Sequence, residues 1–86
     1  MSKAFRTNPV DVQVGNNVRA TRTELGHSQD HIAGKLGLNL AEYKEYESGG
    51  RRFGPERLLS LARLFGVEAP AFFDSLPTLA GAKFFN

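Results

Sequence analysis

Cysteine is absent from this chain of 86 residues, which removes disulfides, thiolate metal sites and cysteine nucleophiles together and permits a cytoplasmic location. Long apolar runs are missing too. Nothing approaches the ~18 residues that a membrane span needs, and the N-terminus lacks the apolar stretch of a secretory signal. A cytoplasmic protein with no membrane partner is the expectation. Charge of one sign is scarce: 11 Lys and Arg against 9 Asp and Glu leave a net +2, too little to argue for a polyanionic partner by itself. Neither a glycine-rich phosphate loop nor a triad-like grouping is present, so no enzyme and no cofactor are expected. His27 and His31 have i, i+4 spacing, but no HExxH-like glutamate lies between them. They read as exposed helix-entry residues, and no metal is expected.

The 41% hydrophobic content is enough for one compact domain with a modest core. Residues 1–10 show no helical or strand period and read as a mobile N-terminal arm in which Lys3 and Arg6 are the cations. The domain proper is expected over 11–76, followed by a tail over 77–86. Asp11 can cap a first helix of about Val12 to Leu25, with Val14, Val18 and Leu25 on its apolar face and Gly26 as its stop. Ser28 is the next N-cap. The helix it opens, about Gln29 to Leu36, turns Ile32, Ala33 and Leu36 inward and ends at Gly37. Asn39 caps a third helix with Tyr43 and Tyr46 on one face and Ser48, Gly49 and Gly50 at its end. A basic loop, Arg51-Arg52-Phe53-Gly54, leads to a fourth helix that starts at Pro55, carries Leu58, Leu61, Ala62 and Phe65, and stops at Gly66. Pro70 opens a last short helix over about Ala69 to Ser75, and Pro77 breaks the pattern. No segment reads as a strand or a repeat. The predicted class is all-α with five helices.

The segment from Ser28 to Leu38, followed by Tyr43 and Tyr46-Glu47-Ser48-Gly49, resembles the phage-repressor-like (Xre/Cro-type) helix-turn-helix family. The resemblance runs over about Gly15 to Asp74. Val14-Gly15 and Phe72-Phe73-Asp74 make the chain most similar to a bacterial transcriptional-regulator subgroup. It implies a lambda-repressor-like domain whose second and third helices dock on double-stranded DNA. Ala33 would let those helices approach, and Gly37 would take the positive φ of the turn.

The resemblance also implies roles. Gln29 at the start of helix 2 would meet a phosphate at the helix N-terminus, and Asn16, Arg22, Arg51 and Arg52 would complete the backbone contacts. Arg22 and Glu47 match a pair that bridges helices 1 and 3. With Tyr43 and Tyr46 turned inward, Asn39, Leu40, Ala41, Lys44 and Glu45 remain for the base edges of the major groove. Leu40 and Ala41 depart from the Gln, Ser, Thr or Arg common in the family, so part of the specificity would come from DNA shape. Other departures are His31 where a glutamate often completes a capping box, Thr21 at an aliphatic position, and Gly34, which costs helix 2 roughly 1 kcal/mol relative to alanine.

One such motif reads few base pairs, and the family binds half-sites about one helical turn (~34 Å) apart as a two-fold dimer. A homodimer is implied, with Leu59, Leu64, Leu79, Phe84 and Phe85 as contact candidates. The function implied is transcriptional regulation, as a repressor that occludes a promoter. The alternative is an antitoxin or other interaction module that holds a partner protein as well as DNA.

Overall fold

The structure is a computed structural model and describes residues 8–74. Four α-helices follow one another: α1 (Pro9–Glu24), α2 (Gln29–Leu36), α3 (Leu40–Ser48) and α4 (Gly54–Phe65), then a short 3-10 helix at Ala69–Phe73. No strand occurs among the described residues.

Two expectations change. The fifth α-helix is a single 3-10 stretch, because Asp74 is extended (φ −61°, ψ 143°) and Nδ2 of Asn17 on α1 donates to the Phe72 and Asp74 carbonyls at 2.8 and 2.9 Å. Those acceptors are taken by α1 and not by a further helical turn. The N-terminus of α1 also lies earlier than Asp11: Asn8 caps it, its Oδ1 accepting the Val10 amide at 2.7 Å, and Pro9 supplies the preset φ of the first turn. Pro9 and Val10 are thus helical and not part of an arm. Asp11 sits in the first turn, where a negative charge suits the helix dipole. The rest of the expected arm, residues 1–7, lies outside the described residues, as does the expected tail.

The turn between α2 and α3 is set by local chemistry. Ser28 Oγ accepts the His31 amide at 3.0 Å to start α2, and Gly37 ends it at φ 73°. Asn39 then opens α3 with a reciprocal capping box: its Oδ1 accepts the Glu42 amide at 2.8 Å while Glu42 Oε1 accepts the Asn39 amide at 3.1 Å.

Each element sends one large side chain fully into the core: Val18, Ile32, Tyr43, Leu61 and Phe72. At about 1.5–3 kcal/mol for each such burial, these side chains do much to hold the helices together. Phe65 meets Phe72 edge to face at 6.2 Å, and Phe53, in the loop after α3, stacks on Tyr46 at 5.1 Å.

Backbone contact between α1 and the end of α3 fixes their crossing. A Cβ at position 15 would collide with the Glu47 carbonyl oxygen, and one at position 49 would lie 2.7 Å from Val12 Cα. Only glycine admits that approach, and Gly49 also needs its φ of 90°.

Candidate nucleic-acid interface

α3 divides cleanly by exposure. Tyr43, Tyr46 and Glu47 are buried; Ala41, Lys44 and Glu45 are exposed, Asn39 is exposed at the cap, and Leu40 is half-buried. The outward face therefore consists of Asn39, Ala41, Lys44 and Glu45, with Leu40 at its margin. Glu42 spends one carboxylate oxygen on the capping box.

Behind that face lies one buried carboxylate, that of Glu47, only 3% exposed. Arg22 Nε donates to its Oε2 at 2.6 Å and Arg22 Nη2 to its Oε1 at 3.2 Å, a bidentate fork. Tyr43 Oη donates to Oε2 at 2.5 Å, and Gln29 Nε2 donates to Oε1 at 3.0 Å. Arg22 Nη1 reaches the His27 carbonyl at 2.8 Å, so the loop before α2 joins the network. Burial alone would raise the Glu47 carboxyl, but the donors from Arg22, Tyr43 and Gln29 outweigh it and hold the group below its ordinary value. Burial, and then the bond to Glu47, pushes the Tyr43 phenol up. The hydrogen bond to Glu47 raises Arg22, against the opposing effect of burial. The network stays charged and ties α1, α2 and α3 into one body.

The two arginines of the loop after α3 are each paired with a carboxylate. Arg51 Nε meets Glu45 Oε1 at 2.6 Å on the surface, and the Arg51 guanidinium lies 5.8 Å from the Tyr46 ring centroid. Hydrogen bonding toward Tyr46, followed by the Glu45 charge, raises its pKa. Arg52 Nε donates to Asp11 Oδ1 at 3.0 Å. Asn16 is half-buried on α1 and its Oδ1 accepts from Arg19 at 3.2 Å.

His27 differs from its expected exposure: it is half-buried, stacked on Phe65 at 6.2 Å and on His31 at 5.3 Å, because the loop before α2 passes over the end of α4. No group of three or more metal-ligating side chains occurs among the described residues, and no helix there is long and apolar enough to cross a membrane. Leu59 and Leu64 are 49% and 38% exposed, while Leu79, Phe84 and Phe85 lie outside the described residues.

The roles that several residues play escaped the sequence reading. The capping box was signalled by Asn39 and Glu42 at N-x-x-E spacing. Asn17, Gly15 and the Tyr43 hydroxyl carried no local signal, since each acts on a residue of another turn or element.

Two short helices joined by a glycine turn, the second with a buried face of tyrosines and an outward polar face, define a helix-turn-helix domain. Residues 15–75 match the model of the family described as "Helix-turn-helix domain", and the chain belongs to that family, one of bacterial transcriptional regulators and not of enzymes. It is 35% identical over 72 residues to an HTH-type transcriptional regulator of Sinorhizobium medicae (strain WSM419), covering 84% of this chain and 52% of that protein. It is 34% identical over 67 residues to a transcriptional regulator in the ATPase CF(0) region of Rhodospirillum rubrum, covering 78% of this chain and 62% of that one. The chain thus spans only about half the length of the first of these relatives. Among solved structures, the DNA-binding domain of BldD superposes with a TM-score of 0.65 at 29% identity, over 74% of this chain and 93% of that domain.

Proposed function

We propose that this chain is a sequence-specific double-stranded-DNA-binding transcriptional regulator that represses by occupying an inverted repeat as a homodimer, with α3 in the major groove. The observation that carries the reading is the division of α3. Its buried face is locked to α1 and α2 through Glu47, while Ala41, Lys44 and Glu45 stand clear on a surface of helical width. The likeness to the BldD DNA-binding domain supports it.

Within this reading, Lys44 and Glu45 offer a donor and an acceptor to base edges, Ala41 and Leu40 meet thymine methyls, and the Nδ2 of Asn39 lies beside its capping bond. Asn16, Gln29, Arg51 and Arg52 meet phosphates. Arg22 serves the same surface through Glu47, being itself only 11% exposed. Apolar groups at the first outward positions leave much of the selection to DNA shape and half-site spacing. Leu59 and Leu64 are the described candidates for the dimer contact.

Selection of bound duplexes from a random pool at physiological salt is the test. Enrichment of an inverted repeat is expected. Recovery without enrichment would contradict the reading and favour a module whose exposed leucines hold a protein partner.

A further inference from the structure

Asp11 lies outside the helix-turn-helix, yet its carboxylate meets the basic loop that leaves it. It occupies the first turn of α1 with its side chain 14% exposed, and it accepts Arg52 Nε at 3.0 Å on Oδ1 and 3.4 Å on Oδ2. Arg52, by contrast, is 68% exposed. The carboxylate rides on a rigid support, because the neighbouring Val12 packs backbone to backbone against Gly49, the cap of α3. Among the described residues Arg52 makes its side-chain hydrogen bonds through Nε alone. The two Nη groups, which carry the rest of the guanidinium's donors, are left to the surface.

We propose that Asp11 is a positioning residue: by holding Nε it fixes the Arg52 fork so that both Nη groups face a DNA phosphate beside the C-terminal end of α3. The inference rests on the DNA-binding reading above. Its physical basis is preorganisation, since an arginine already held in place loses less rotamer freedom when it binds. A carboxylate that merely sat near DNA would repel phosphate, and its removal would tighten binding. A carboxylate that places Arg52 has the opposite signature. Its removal loosens binding although a negative charge has gone.

The experiment titrates a fluorescent mixed-sequence duplex with the wild-type chain, Asp11→Asn, Arg52→Gln and the double variant over a series of salt concentrations, with thermal melting of each to show that it is folded. Asp11→Asn is expected to weaken binding several-fold and to reduce the steepness of log K against log salt by about 0.9, the share of one phosphate. Arg52→Gln is expected to do the same, and the double variant to bind no more weakly than Arg52→Gln alone. Equal or tighter binding by Asp11→Asn with an unchanged salt slope would overturn the inference while leaving the DNA-binding reading intact. So would an Asp11→Asn effect that persists in full without Arg52. Failure of the wild-type chain to bind any duplex would overturn both.

Discussion

Arg22 and Glu47, 25 residues apart in sequence, form a two-pronged ion pair between α1 and the last turn of α3, in surroundings that leave their side chains only 11% and 3% exposed. The orientation of the outward face of α3 depends on it. Breaking a buried pair by removing one partner strands the other charge and costs about 3–5 kcal/mol. Arg22→Ala should therefore lose most of the domain's stability and its duplex binding together. Arg22→Lys should recover only part of either, since an ammonium cannot match the fork. Melting followed by circular dichroism, beside a duplex titration, checks both. Unchanged melting and affinity in Arg22→Ala would contradict the role.

Acid should weaken the fold through the same site. The folded Glu47 carboxyl is held below its ordinary 4.5, so the unfolded chain binds more protons there as pH falls. Stability from this group is complete above the unfolded value and is lost as pH drops through the folded one. Urea denaturation over an acid series should show that loss in the wild type. In Glu47→Gln the starting stability should be lower and the acid slope shallower.

Two glycines should respond to alanine with opposite signs. Gly34 lies exposed within α2 and a Cβ there would meet nothing within 4 Å, so Gly34→Ala should stabilise by roughly 1 kcal/mol through helix propensity. Gly15→Ala would drive a methyl into the Glu47 carbonyl, and the resulting shift of α1 from α3 should cost about 1–3 kcal/mol. At roughly 4–8 °C per kcal/mol for a domain of this size, thermal melts resolve both.

Arg51 and its countercharge should act differently from Asp11 and Arg52. The Arg51 guanidinium is already placed by the Tyr46 ring, and its partner Glu45 is 56% exposed, so the carboxylate competes with phosphate and has no placing role. Arg51→Ala should weaken binding to a mixed-sequence duplex and flatten its salt slope by about 0.9. Glu45→Gln should tighten it. A looser complex in Glu45→Gln would contradict this competition between Glu45 and phosphate for Arg51.

Local chemistry was legible in the sequence. Ser28, Gly37 and Asn39 mark their helix ends by residue type alone, and the spacing of Tyr43 and Tyr46 reveals the inward face of α3. The start of α1 was readable too, because Asn8-Pro9 is a cap followed by a first-turn proline, although Asp11 competes for the same part. What could not be read depends on how separate elements meet. Whether Ala69–Phe73 continues as an α-helix is decided by Asn17, 55 residues before Phe72. The partners of Gln29, Arg51 and Arg52 are likewise settled by packing, since each cation or amide had several carboxylates within its reach along the chain. The need for glycine at position 15 appears only once α1 and α3 have crossed.

The central claim, that the outward face of α3 is the surface that enters DNA, is tested most directly by following backbone amide resonances of the chain while a selected duplex is added. The account predicts the largest shifts in α3 around Ala41, Lys44 and Glu45, with further shifts at Gln29, Arg51 and Arg52 and little change at Leu61 or Ser60 on α4. Shifts concentrated on α4, with those of α3 unmoved, would contradict it.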